Sequence, residues 1–130
     1  MARAYTVATV ALTLATTEKW LDNILSHHAI TGVQQQRQGV ARRLSVEGIL
    51  VISIVLLLIQ DLGLSTSYAI TVAEMLVHGG GRYETSHGLT MGLELSTLQM
   101  RLLERLESAV EVAPVPRRGR PPANKTGRLD

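Results

Sequence analysis

The 130-residue chain is long enough for one domain with a hydrophobic core, which Leu, Val, Ile and Ala must build because the sequence has no Phe and one Trp. The absence of cysteine excludes disulfides, thiolate metal sites and thiol catalysis, and it fits a reducing compartment. Basic residues dominate positions 112–130, whereas positions 1–111 carry a slight excess of acidic residues. The folded body is therefore not a general polyanion binder, and the C-terminal segment is suited to that task.

The N-terminal segment resembles a secretory signal only faintly. Arg3 precedes a short apolar region, but Thr9 and Thr13 interrupt that region and no good cleavage site follows. We therefore expect no signal peptide and a cytoplasmic protein.

Two short amphipathic helices are predicted between residues 5 and 28. Apolar residues recur at i, i+3, i+4 and i+7 from Val7 to Leu14, with Thr6 as a plausible N-cap. A second apolar stripe runs from Trp20 to Leu25, and either Thr16 or Thr17 caps it. Two short helices joined by a tight turn have helix-turn-helix spacing, although a helical hairpin with no link to DNA has the same pattern.

Residues 27–44 lack helical periodicity and contain Gly32 and Gly39. Val33 and Val40 flank a polar tip, which predicts a small β-hairpin. A basic hairpin directly after a helix-turn-helix is typical of a DNA-binding wing, whose arginines pair with phosphates. The alternative is a solvated loop.

The segment from Ser45 to Gly63 is the most apolar part of the chain, and we expect the rest to be arranged around it. Ser45 is a good N-cap, Glu47 suits the first turn, and Gly63 suits a left-handed residue at the C-terminal end. The run is long for a strand and too short for a membrane span. A helix over residues 46–62 is predicted, and it must be covered from several sides, by a second subunit too if one chain is insufficient.

Residues 5–77 resemble the DNA-binding domain of MerR-type transcriptional regulators, a winged helix-turn-helix. The matching motifs are Tyr5-Thr6-Val7, Thr17-Glu18-Lys19-Trp20, Gly39-Val40-Ala41-Arg42-Arg43-Leu44-Ser45 and Leu62-Gly63-Leu64-Ser65. The resemblance implies that residues 16–28 enter the major groove and that arginines of the wing hold the DNA backbone. The implied contacts are Thr16, Thr17, Lys19, Asn23, His27, His28, Arg37, Arg42 and Arg43.

The chain departs from that family in two respects. Glu18 and Asp22 make the presumed recognition helix less basic, and helix 46–62 is more apolar. Trp20 is interpreted as a packing residue and not as a DNA contact. The family's effector domain has no counterpart, so no small-molecule effector is inferred.

The second half predicts three further elements. The first is a helix over residues 66–78, which Ser65 caps. The second is a pair of short strands that turn at His87-Gly88, with Leu89, Met91 and Leu93 on one buried face. The third is a helix that begins with a capping box at Ser96 and ends near residue 111. The total apolar surface exceeds what a monomer comfortably buries. A homodimer through helix 46–62, helix 96–111 or both is predicted.

The segment from Ala113 is rich in Pro and Arg and cannot fold alone. Within it, four residues resemble the core of an AT-hook, which inserts extended arginines into the narrow, negative minor groove at A·T pairs. The residues are Arg117, Arg118, Gly119, Arg120 and Pro121, of which Arg117 is a flanking charge.

The predicted fold class is mainly α: a winged helix-turn-helix (1–78), a β-hairpin with a dimerising C-terminal helix (79–111) and a disordered basic tail (112–130). The predicted function is a DNA-binding transcriptional regulator or nucleoid-associated factor that binds double-stranded DNA as a homodimer, with no cofactor, no metal and no membrane attachment. A protein-interaction module such as an antitoxin is the alternative. No nucleophile–base pair or carboxylate pair can be assembled, so no enzymatic activity is expected.

Overall fold

The structure, a computed structural model, describes residues 4–34 and 42–112, the last two by their backbone alone. These ranges are mainly helical and contain small antiparallel sheets. The helices are α1 (Val7–Thr13), α2 (Glu18–His27), α3 (Val46–Leu62), α4 (Thr66–His78) and α5 (Leu95–Val112). The strands are β1 (Ala4–Tyr5), β2 (Val33–Gln34), β3 (Arg43–Ser45), β4 (Arg82–Glu84) and β5 (Thr90–Gly92).

Side-chain caps set where the first four helices begin. In each case a Ser or Thr in extended backbone accepts a hydrogen bond from the amide three residues later, which satisfies a donor that the helix leaves free. The caps are Thr6, Thr17, Ser45 and Ser65. Gly63 ends α3 in the left-handed conformation, with φ of 68°. The predicted bounds of α3 and α4 are therefore confirmed.

A three-stranded antiparallel sheet joins the N-terminus to the first hairpin, in the order β1-β3-β2. Leu44 is central, because it pairs with Tyr5 on one side and with Val33 on the other. The predicted hairpin is confirmed at its base, but Val33 pairs with Leu44 and Gln34 lies in the strand and not in the polar tip. Residues 35–41, which include Val40, lie outside the described residues. Strand β1 was not predicted, since two residues are too few to show an alternating pattern.

Helix α3 lies at the centre of the core. Its buried side chains point in all directions around the helix, and Ile49, Val51, Ile52, Ile54 and Val55 are fully inaccessible. Helix α4 packs along it, and α5 and the sheet complete the cover. One chain therefore covers most of this helix, and a homodimer through it stays a prediction.

Helix α5 closes the core from the side of α1. Leu102 and Leu106 are buried in the same hydrophobic cluster as the residues of α3. Residues 1–78 and 79–111 thus contribute to one core, while their division into separate units stays a prediction. Among the described helices, none is both long and apolar enough to cross a membrane.

The second hairpin differs from the expectation in one side chain. Met91 and Leu93 are half-buried against the core, but Leu89 is 64% exposed. Leu89 lies in the turn, where its amide and carbonyl both bond to Thr85, and so it precedes the paired strand instead of continuing it. Helix α5 also begins at Leu95, which places Ser96 inside the first turn and not at the predicted cap.

Candidate nucleic-acid interface

The exposed face of α2 carries polar side chains at helical spacing. Lys19, Asp22, Asn23 and Ser26 occupy positions i, i+3, i+4 and i+7, and all four are exposed. Leu21, Ile24 and Leu25 lie on the opposite face and are buried. The hydrophobic face anchors the helix, so the polar face necessarily points outward.

This polar face lines an open groove of about 830 Å³. The predicted DNA contacts Thr17, Lys19 and Asn23 lie in it together. Trp20 lies at its margin, half-buried and packed against the core, as expected for a packing residue. Asp22 and Ser26 were not among the predicted contacts, although their spacing from Lys19 already places them on the same face.

The other predicted contacts on this segment lie at the ends of the helices. Thr16 is half-buried in the turn, where its amide donates to the carbonyl of Ala11 at 2.9 Å. His28 is the half-buried C-cap of α2, and His27 is exposed with its Nδ1 2.8 Å from the carbonyl oxygen of Asn23. None of the three lines the groove.

The turn between α1 and α2 contains a strained residue. Ala15 has φ of 56°, in the left-handed region that glycine usually occupies. The amides of Ala15 and Thr16 both donate to carbonyls of α1. These bonds end α1 sharply and fix the direction in which α2 leaves it.

Arg42 points toward α2 and not toward solvent. One terminal guanidinium nitrogen (NH1) lies 3.3 Å from Oδ1 of Asp22, and the other (NH2) lies 3.1 Å from Oγ of Ser26. Its Nε is buried, and only 12% of the side chain is exposed. Side chains alternate along a strand, so Arg42, two residues before the buried Leu44, lies on the inner side. Both terminal guanidinium nitrogens thus donate to α2, whereas the buried Nε has no hydrogen-bond partner among the described residues.

Arg43 follows on the other side of the strand. It is half-buried, and its described side-chain hydrogen bond, to the carbonyl of Arg42, is long at 3.4 Å. Arg37 and the tail residues Arg117, Arg118, Gly119, Arg120 and Pro121 lie outside the described residues.

The base of the hairpin is packed tightly against the start of α3. The amide and the hydroxyl of Ser45 both donate to the carbonyl of Gly32, at 2.9 and 3.0 Å. A Cβ on Gly48 would lie 2.7 Å from that same carbonyl oxygen, so only glycine allows the approach. On the other side, the amide of Thr31 donates to Glu74 of α4 at 3.0 Å. The hairpin is thereby fixed to the core.

The charges around the α2 groove nearly balance. Lys19 and Arg42 are offset by Glu18 and Asp22, so the described part of the interface has no strong positive potential of its own. His78 lies about 4 Å from the carboxylates of Glu47 and Glu74. Within the described ranges, no group of three His, Asp or Glu residues is arranged to hold a metal ion.

The chain matches no protein-family model, no curated protein and no solved structure.

Proposed function

We propose that this chain is a DNA-binding protein, a transcriptional regulator or nucleoid-associated factor, built on a winged helix-turn-helix. The observation that carries the proposal is the polar face of α2, a helix anchored by its apolar face after a tight turn and bordered by a hairpin fixed to the core. An exposed helix of this kind suits the major groove, which is wide enough to admit one. Thr17, Lys19 and Asn23 supply donors to bases and phosphates.

In this proposal the hairpin β2–β3 is the wing, and its two described arginines have different tasks. Arg43 lies on the outer side and contacts a phosphate together with Arg37 of the tip. Arg42 positions α2 through Asp22 and Ser26. In this proposal Arg43 therefore makes the phosphate contact, and Arg42 does not.

The basic tail adds minor-groove binding at A·T pairs through Arg118, Gly119, Arg120 and Pro121. Because the α2 groove is nearly neutral, a large share of the DNA-binding affinity is assigned to the tail. Phosphate and minor-groove contacts of arginines provide most of the electrostatic affinity. The link between the two sites raises their joint affinity through effective concentration. The expected location is the nucleoid in the cytoplasm.

The proposed oligomer is a homodimer through α5. Met100, Leu103 and Val110 of this helix are 61%, 41% and 40% exposed, and they flank the stripe that packs on the core. A two-fold dimer presents two α2 helices to successive turns of a palindromic site.

Fluorescence anisotropy with labelled duplexes tests this proposal. One duplex is A·T-rich and one is G·C-rich, and each is titrated across a salt series with the full-length protein and with a chain ending at Val112. We expect the full-length protein to prefer the A·T-rich duplex and the shorter chain to bind both duplexes more weakly without that preference. If neither protein binds at low salt, the proposal is wrong.

The second candidate is a protein-interaction module such as an antitoxin. It is favoured by the exposed apolar side chains of α5 and by the two acidic residues on α2. A shorter chain that binds no DNA while the tail alone does would support it. The substitution Arg43→Ala separates the candidates better than a change that includes Arg42, because Arg42 contacts α2 and its loss disturbs the fold.

A further inference from the structure

We propose that Asp22 determines base specificity by accepting a hydrogen bond from a base amino group in the major groove, with cytosine N4 as its preferred donor. This inference rests on the proposed DNA binding by α2. It turns the acidic residue that weakened the resemblance to a DNA-binding domain into a reading residue.

Asp22 occupies the middle of the exposed α2 face. It lies one turn after Lys19 and one turn before Ser26, and 53% of its side chain is exposed. When α2 lies in the DNA major groove, a residue at this place faces the floor of that groove, while the flanking residues face its walls. Its contact is therefore with base edges and not with phosphates.

The charge of Asp22 is offset before DNA arrives. The guanidinium of Arg42 lies 3.3 Å from its Oδ1, and Arg42 is nearly buried and is held by Ser26 as well. A lone carboxylate between two phosphate backbones would be repelled, whereas a carboxylate paired with a fixed guanidinium is close to neutral at a distance. The ion pair thus reduces the repulsion between Asp22 and the phosphates when α2 lies in the DNA major groove.

The second carboxylate oxygen, Oδ2, has no hydrogen-bond partner among the described residues and remains an acceptor. An ionised carboxylate accepts and does not donate, so it favours a base edge that presents an amino group. Cytosine presents N4 alone, adenine presents N6 beside the acceptor N7, and guanine and thymine present acceptors. The expected order of preference is cytosine, then adenine, then the other two bases.

The test is selection of bound duplexes from a randomised library by the full-length protein, followed by anisotropy titration of single base-pair variants of the selected site. We expect the wild type to prefer C at one position by about tenfold. Asp22→Asn should change that preference to A, because an amide pairs with adenine N6 and N7, and Asp22→Ala should abolish it. The remaining positions of the site should stay the same.

Glu18→Gln is the matched control, since it removes the same charge from the same helix at a residue that forms no ion pair with any described residue. It should raise overall affinity slightly and leave the base preference unchanged. Arg42→Lys keeps the positive partner and should retain the preference for C, whereas Arg42→Met should reduce it. Thermal unfolding of each variant measures how much the ion pair between Asp22 and Arg42 contributes to stability.

The outcomes separate this inference from the proposed function. If the wild type binds duplexes with no base preference, or if Asp22→Asn and Asp22→Ala keep the preference for C, the inference is wrong while DNA binding stands. If Asp22→Ala changes only the unfolding temperature, the pair is a structural link and the inference is also wrong. If the wild type binds no duplex, both proposals fail.

Discussion

Helix α2 precedes the β2–β3 hairpin in the chain and α3 follows it, yet the two helices differ in exposure. Helix α2 exposes a polar face, whereas α3 is mostly buried. Helix α2 buries only the stripe of Leu21, Ile24 and Leu25, and it presents polar side chains along the rest. Helix α3 buries side chains on nearly all faces until its last turn, where Gln60, Asp61 and Leu62 are exposed. The difference indicates that stability resides mainly in α3 and its contacts, while the exposed polar face of α2 is available for the proposed DNA contacts.

The largest expected effect is on α3. Ile52 is fully buried, so Ile52→Ala removes methyl groups from a packed core and should lower the free energy of unfolding by about 2–5 kcal/mol. Leu62→Ala, at the 57% exposed end of the same helix, is the control and should cost less than about 1 kcal/mol. Chemical denaturation measures both. Equal losses would show that α3 is not the centre of the core.

The next effect concerns the contact between α3 and the hairpin. Gly48→Ala places a Cβ 2.7 Å from the carbonyl oxygen of Gly32, and the backbones must separate. The expected loss is about 1–3 kcal/mol in unfolding free energy. In Gly92→Ala the new Cβ meets no atom within 4 Å, and that control should change stability by less than about 0.5 kcal/mol.

A smaller effect is expected from a substitution on α2, and it should lower the affinity for DNA and not the free energy of unfolding. Lys19 is exposed on the groove face, so Lys19→Ala should weaken DNA binding by up to about 1 kcal/mol and lower the salt dependence by about one counterion. Its unfolding free energy should stay within about 0.5 kcal/mol of the wild type. Arg105→Ala removes an exposed cation from α5 and is the control. A similar loss of binding in both variants would argue against a defined contact by α2.

The smallest effect tests the turn that sets the direction of α2. Ala15→Gly relieves a left-handed backbone but gives the unfolded chain more freedom, so a net gain of about 0.5 kcal/mol in unfolding free energy is expected. Ala8→Gly, inside α1, should instead lose about 0.5–1 kcal/mol. Thermal unfolding distinguishes the two signs, and a loss in both variants would mean that the φ of Ala15 carries no strain.

Much of the helical framework was predictable because its signals are local. Ser45, Glu47 and Gly63 mark α3 within its own sequence, and Ser65 does the same for α4. A cap needs only the amide three residues away, so sequence spacing is sufficient. The polar face of α2 is likewise a matter of spacing, whereas Thr17, Lys19 and Asn23 were selected through the resemblance to MerR-type regulators.

The residues that differ from expectation depend on distant partners. Tyr5 forms a strand because the distant Leu44 is available to pair with it. Leu89 is a local exception, because it is exposed in a turn bonded to Thr85, four residues earlier. Covering of α3 by one chain depends on where α4 and α5 pack. Two-residue strands and helix packing leave no periodic signal, so no local pattern could have revealed them.

The sequence by itself determined the helices, the caps of α1, α3 and α4 and the polar composition of the α2 face, since each depends on residues a few positions apart. Only the tertiary structure decided the direction of Arg42. Asp22 and Arg42 are twenty residues apart in sequence and 3.3 Å apart in space. That long-range contact converts an acidic residue on a presumed DNA-binding helix into one half of an ion pair.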